Sequence, residues 1–172
     1  MSSRVVFGRF IAKALVQLIV VYGVVLAASH ANSAPNVRVA VVTEADGPHL
    51  GIYFPAIASS NSVAAAAVVD PGGTTFQDAE RSLGKLEAFE TYRDAKRMLQ
   101  EFQPDLVLVA LPAHKSPDQI RAALDAGCHV VAEKPACVRP EDFKELVELA
   151  ETKSLNLMLA LPSRMSPDVQ KA

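Results

Sequence analysis

Beyond the first 35 residues, short apolar runs alternate with segments whose apolar residues recur at helical spacing. This alternation is typical of βαβ units and of a parallel sheet. The runs at 37–42 and 63–69 are apolar almost throughout, as strands covered on both faces require. Further strands are predicted at 106–111, 129–132 and 155–161 and are counted as the fourth, fifth and sixth, with no bounds assigned to a third. The pattern therefore predicts one doubly wound α/β sheet.

Helices are predicted between these strands from apolar periodicity and from residues that start or stop a helix. Thr91 is predicted as the N-cap of one helix, which Pro104 ends. Ser116 is predicted to cap a second helix that closes at Gly127, and a third begins near Pro140. An earlier helix is expected to follow the first strand and its loop.

The first 34 residues have the three-part layout of an export signal. The first 13 positions contain three basic residues and no acidic residue: Arg4, Arg9 and Lys13. An apolar run at 14–28 follows, and small residues come after it. The run is short for a membrane span of ~20 residues, and Gln17 interrupts it. We therefore expect cleavage between residues 29 and 35 and a periplasmic or extracellular protein, with a retained membrane anchor as the alternative.

Composition and charge narrow the functional classes. Half of the 172 residues are hydrophobic and 21% are charged, which is typical of one globular domain. Without the three positive charges of the first 34 residues, the net charge of −2 becomes −5. A mildly acidic domain is a poor partner for nucleic acid or for anionic lipid. We expect Cys128 and Cys137 to be buried apolar residues rather than a disulfide, and no metal site.

In a doubly wound sheet, ligands bind outside the carboxyl ends of the strands, so the residues just after each strand are candidates. The loop at 43–51 occupies the place where a dinucleotide-binding fold has a GxGxxG motif. Only Gly47 and Gly51 are present, and Glu44 and Asp46 add negative charge. Two interpretations remain open: a phosphate-binding loop shaped by the two glycines, and an ordinary βα loop.

Asp70 follows the second strand, 19 residues beyond Gly51, where an acid could accept hydrogen bonds from a ribose diol. It also precedes Pro71 and two glycines, so it could equally be a turn former. His114, after the fourth strand, is interpreted as a solvated side chain in preference to a titrating functional group.

The stretch 122–135, Ala-Ala-Leu-Asp-Ala-Gly-Cys-His-Val-Val-Ala-Glu-Lys-Pro, resembles the AALEAGKHVxxEKP signature of the Gfo/Idh/MocA oxidoreductases. The likeness extends upstream through Leu111-Pro112 and downstream through 140–161 and 164–167. Leu111 stands where that family usually has threonine, and Ser116 where it commonly has histidine.

The resemblance implies a Rossmann-like fold that binds NAD or NADP, and hydride transfer to or from a sugar or polyol. Lys134, the lysine of the EKP motif, would be the catalytic residue. Cofactor binding would fall on six residues: Gly47, Gly51, Asp70, Pro112, Glu133 and Lys134.

The expected organisation is a signal at 1–34, a nucleotide-binding domain at 35–161, and at 162–172 the start of a segment that leads, in the family, into a second α/β domain. Without the second domain, we expect the chain alone to be inactive. Because of its first loop, we also expect weak dinucleotide binding. The alternative function is an exported, non-catalytic binding or scaffold module.

Overall fold

The computed structural model describes residues 36–161. The expected signal at 1–34 and the segment at 162–172 lie outside the described residues.

The described residues form a sheet of six parallel strands in the order β3-β2-β1-β4-β5-β6. The strands are β1 Val37–Val42, β2 Val63–Val69, β3 Ala88–Tyr92, β4 Leu106–Val109, β5 His129–Ala132 and β6 Leu157–Leu159. Strands β1 and β4 are neighbours, so the chain winds outward from the centre in both directions. The predicted doubly wound α/β fold is confirmed.

Five helices connect the strands: α1 Leu50–Ala58, α2 Phe76–Leu83, α3 Ala95–Glu101, α4 Ser116–Asp125 and α5 Pro140–Thr152. Buried residues of α1 and α2 pack on one face of the sheet, and those of α3, α4 and α5 pack on the other. The sheet is thus covered on both sides, which explains why its central strands are continuously apolar. No helix within residues 36–161 has the length and hydropathy needed to span a membrane.

The segment before α3 differs from the prediction. Thr91 lies in β3 and is not an N-cap. The carboxylate of Asp94 caps α3 by accepting a hydrogen bond from the Arg97 amide at 2.7 Å. Strand β3 is the edge of the sheet and buries only Tyr92, so its sequence lacks the apolar run that marks the central strands. Helix α2 and strand β3 were both missed by the sequence analysis.

Helix α4 begins one residue earlier than predicted, because its N-cap is Lys115 and not Ser116. The buried Ser116 hydroxyl donates instead to the carbonyl oxygens of Leu111 and Pro112, at 3.0 and 3.1 Å. These bonds tie the start of the helix to the end of the preceding strand.

The predicted end of α4 at Gly127 is confirmed. Gly127 has φ +85°, and its amide donates to Leu124 while the Cys128 amide donates to Ala123. This is the Schellman arrangement, which needs a left-handed residue after the C-cap. Cys128 is buried, which raises the pKa of its thiol to about 11, and Cys137 is half-buried; both thiols are free.

Candidate functional site

The carboxyl ends of β1 and β4 meet at the centre of the sheet, where the strand order reverses. Loops that leave these ends in opposite directions open a crevice, which is the usual ligand position in an open α/β sheet. The loops at 43–49 and 110–115 border this crevice, and the loop that follows β5 lies beside them.

Thr43, the first residue of the loop after β1, links this loop to the end of β4. Its buried side chain donates a hydrogen bond to the Ala110 carbonyl at 3.1 Å, joining the ends of β1 and β4. The Gly47 amide donates to the Glu44 carbonyl at 2.9 Å and closes a turn. A Cβ on Gly47 would lie 1.8 Å from the Thr43 hydroxyl oxygen, so this turn requires glycine.

Gly51 is in a different setting. It lies in the first turn of α1, and a Cβ at this position would meet no atom within 4 Å. Internal packing therefore does not require glycine at position 51, and the space in front of it is open.

Glu44, which brings negative charge to the first loop, is paired across the crevice. The Lys115 ammonium lies 2.5 Å from its carboxylate. Both side chains are partly exposed, so the pair contributes less than about 1 kcal/mol and can separate readily. The repulsion that Glu44 alone would exert on a phosphate is reduced by this lysine.

Asp70 is buried at the end of β2, and its carboxylate accepts four hydrogen bonds. Oδ1 accepts from the Gly72 amide at 2.9 Å, and Oδ2 accepts from the Thr74 hydroxyl at 3.1 Å and from the Thr75 amide and hydroxyl at 2.9 and 3.0 Å. Burial alone would raise the pKa of Asp70, but these hydrogen bonds lower it below its ordinary value. In this structure the carboxylate shapes the turn between β2 and α2.

A cavity of about 900 Å³ opens between the first loop, the ends of β2 and β3, and helices α3 and α4. Its floor is apolar and includes Val42, Val69, Leu99 and Leu111. Its charged and polar rim includes Arg93, Lys96, His114, Lys115 and Asp118. An apolar floor with a few polar groups at the rim suits a flat aromatic ring joined to a polar group.

Glu133 is the most connected polar side chain at the other end of the crevice, and only 3% of it is exposed. Oε1 accepts hydrogen bonds from His49 Nδ1 and from the Tyr53 hydroxyl, both at 2.8 Å. Oε2 accepts from the Lys134 amide at 3.0 Å. Burial, together with the hydrogen bond and charge of Glu133, raises the pKa of Tyr53 far above its usual range. The carboxylate thus joins the start of α1 to the loop after β5.

His49 and Tyr53 were not predicted from the sequence to be part of the site. Each contacts a residue at least 80 positions away, and no local pattern marks such a contact. His49 also has φ 60°, a left-handed conformation in which glycine is more usual, at the N-cap of α1.

The six predicted cofactor residues are spread along one crevice, from the end of β2 to the end of β5. Pro112 is half-buried after β4, and Lys134 is exposed after the neighbouring β5, beside Glu133. Gly47 in the first loop and Gly51 in the first turn of α1 lie between the two ends, and Asp70 lies at the β2 end. Within residues 36–161, no cluster of His, Cys, Asp or Glu side chains has the arrangement of a metal site.

The strand order, the crevice at its centre and the cavity beside it define a Rossmann-type nucleotide-binding domain. Residues 51–161 match the family model of the oxidoreductases with an NAD-binding Rossmann fold, GFO_IDH_MocA. The chain belongs to this family, as the EKP resemblance implied.

Several relatives agree with this assignment. The chain is 29% identical over 144 residues to D-glucoside 3-dehydrogenase of Escherichia coli, covering 82% of this chain and 39% of that protein. The WlbA dehydrogenase of Bordetella pertussis, solved with NADH and UDP-GlcNAcA, aligns with a TM-score of 0.70 and 25% identity, over 82% of this chain and 41% of its own.

A third relative supports the fold. Scyllo-inositol dehydrogenase of Lactobacillus casei, solved with NAD(H) and scyllo-inositol, aligns with a TM-score of 0.66 and 22% identity, over 79% of this chain and 39% of its own. The chain spans between a fifth and two fifths of the length of the curated relatives it matches.

Proposed function

We propose that the chain is the nucleotide-binding part of an exported NAD(P)-dependent oxidoreductase that transfers hydride to or from a sugar or polyol. The observation that carries this proposal is the placement of the EKP motif. Buried Glu133 fixes the Lys134 amide at the end of β5, beside the crevice, and leaves the lysine side chain exposed.

The residues at the two ends of the crevice fit a dinucleotide. The cavity at the β2 end has the size and apolar floor for an adenosine. The open space at Gly51 would admit a phosphate close to the first turn of α1. Pro112, Glu133 and Lys134 would border the nicotinamide. When bound, the nicotinamide supplies the hydride acceptor or donor.

Lys134 would act on the substrate rather than on the fold. Its ammonium, on an exposed side chain at the carboxyl end of β5, can donate a hydrogen bond to a substrate hydroxyl or carbonyl oxygen, or move that oxygen's proton. Glu133 would keep the lysine backbone in place through its amide hydrogen bond. Its contacts with His49 and Tyr53 would keep the carboxylate itself from turning.

Export rests on the layout of the first 34 residues alone. Arg4 and Arg9 are not adjacent, so the signal lacks the twin-arginine pair that marks export of proteins already folded around a cofactor.

The proposed partners are a nicotinamide dinucleotide and a small sugar-like substrate. We propose no binding to nucleic acid, and no contact with a membrane once the signal is cleaved.

Calorimetric titration of the chain with NAD+ and NADP+ tests the dinucleotide part of this proposal. We expect saturable binding of at least one of them, weaker than micromolar because Thr43 and its loop occupy the centre of the crevice. No binding of either at millimolar concentrations would refute it. The relatives reported above give no specific support to the alternative of a non-catalytic module.

A further inference from the structure

His49 and Glu133 form a pair in which an exposed imidazole is bonded to a buried carboxylate. His49 Nδ1 lies 2.8 Å from Glu133 Oε1, and 45% of the histidine side chain is exposed, against 3% of the glutamate. The Tyr53 ring meets the imidazole edge to face, with 6.2 Å between the ring centres and 87° between the ring planes. These contacts fix both the position and the plane of the imidazole.

The bond to Glu133 determines which nitrogen of the neutral imidazole carries the proton. The same carboxylate also accepts hydrogen bonds from the Tyr53 hydroxyl and from the Lys134 amide, and an ionised carboxylate can only accept. Nδ1 is therefore the N–H donor of His49, which leaves a lone pair on Nε2. Nε2 makes no hydrogen bond to any residue within 36–161, so it is available to accept a proton from a bound molecule.

This pair lies at the end of the crevice that contains the EKP motif. Glu133 Oε1 binds the imidazole while Oε2 accepts from the Lys134 amide, so one carboxylate holds His49 and Lys134 on its two sides. Both of these side chains are exposed. A substrate that binds beside the lysine would therefore also lie beside the imidazole.

We propose that His49 is a second catalytic residue, whose Nε2 accepts the proton of the substrate hydroxyl while Lys134 donates a hydrogen bond to the same oxygen. This role rests on the function proposed above, with NAD(P)+ as the oxidant. The substrate C–H bond breaks and its hydrogen passes with two electrons to the nicotinamide, and the O–H bond breaks and its proton passes to Nε2. The alcohol becomes a carbonyl, NAD(P)H forms, and Glu133 stabilises the imidazolium.

Proton–nitrogen correlation NMR of the natural chain tests the arrangement without any cofactor. At alkaline pH, where imidazoles are neutral, we expect the His49 proton on Nδ1. His129 is an internal control, because its Nδ1 accepts from the Asn156 amide at 3.1 Å and its proton must therefore be on Nε2. A His49 proton on Nε2 would overturn the proposed role, whether or not any variant folds.

Two substitutions separate proton transfer from simple support of Glu133. His49→Asn keeps an N–H donor where Nδ1 lies, tolerates the φ of 60° and lacks Nε2, whereas His49→Ala removes both nitrogens. In an enzyme that contains this chain with its substrate domain, His49→Asn should lower turnover by about a hundredfold or more. Its affinity for NAD(P)H should stay within about twofold of the natural value. His129→Asn, at the opposite end of β5, is the matched control and should leave turnover as it is.

Normal turnover in His49→Asn together with reduced turnover in His49→Ala would make His49 a support of Glu133 and overturn its catalytic role. Thermal unfolding of each variant checks that a loss of turnover is not a loss of fold.

Titration with NAD+ and NADP+ separates this role from the proposed function. If the natural chain binds neither dinucleotide, the proposed function is refuted and the role of His49 is refuted with it. If a dinucleotide binds, and Lys134→Met lowers turnover while His49→Asn does not, the proposed function stands and His49 is not a catalytic residue.

Discussion

At the scale of single residues, the structure shows Asp70 in one of the two roles that its sequence position left open. It was predicted either to hold a ribose or to form a turn, and its carboxylate makes the turn by accepting four hydrogen bonds. A buried carboxylate with this many donors stabilises the fold only while it is ionised.

The lowered pKa of Asp70 gives a stability that depends on pH. Because the folded-state pKa lies below the ordinary 3.8, the contribution is complete above about pH 5 and is lost as the pH falls through the folded-state value. We expect Asp70→Asn to lower the free energy of unfolding by about 1–3 kcal/mol at pH 7. The difference from the natural chain should shrink in acid.

Urea unfolding of both proteins between pH 7 and pH 3 measures this dependence. Asp78→Asn is the control, because Asp78 is exposed on α2 and should change stability little at any pH. A difference for Asp70→Asn that stays constant over this range would show that the ionised carboxylate is not what stabilises the turn.

Lys134 is the second single residue with a testable role, and its proposed role is in the chemical step. In an enzyme that contains this chain with its substrate domain, we expect Lys134→Met to lower turnover by about a hundredfold or more. Stability should be nearly unchanged, because the side chain is exposed. Lys144→Met, at an exposed lysine on α5, should leave turnover as it is. Normal turnover in Lys134→Met would make this residue an ordinary surface lysine.

At the scale of elements, the first loop determines how well the crevice accepts a diphosphate. Thr43 bridges β1 and β4 where a glycine would leave room for phosphate oxygens. We expect a variant with 43–48 rebuilt as GxGxxG to bind NAD+ or NADP+ at least tenfold more tightly than the natural chain. This corresponds to a binding free energy that is more favourable by at least about 1.4 kcal/mol. Calorimetry compares the two, and micromolar binding by the natural loop would refute this expectation.

The elements also show how far sequence reasoning reached. Strands β1, β2, β4 and β5 were located because each is buried on both faces and reads as an apolar run. Helix α2 buries only Ala79 and Leu83, which is too few to establish a periodicity. The edge strand β3 is largely polar on its exposed side, so it also left no signal.

The site was predictable only in part, for a related reason. The EKP motif placed Glu133 and Lys134 correctly after β5, because position after a strand follows from the order of elements. The partners of Glu133 are His49 and Tyr53, at the start of α1. They lie 84 and 80 positions earlier in the sequence. Contacts of this kind depend on the tertiary fold, which a local pattern does not encode.

At the scale of the whole molecule, export is an expectation with a direct test. We expect the mature chain to begin between residues 29 and 35, because small residues follow the apolar run there. N-terminal sequencing of protein recovered from the periplasm or medium locates the cleavage. Recovery of Met1 on membrane-bound material would instead support a retained anchor.

The central claim is that one crevice, from the end of β2 to the end of β5, binds a nicotinamide dinucleotide. Hydrogen exchange of the chain without ligand, with saturating NAD+ and with saturating NADP+ tests it most directly, because bound ligand slows exchange where it covers the backbone. We expect added protection in the loops at 43–51, 70–74, 111–116 and 133–135, and none at the outer ends of α2 and α5. Unchanged exchange in all four loops, or protection confined to other surfaces, would contradict the account.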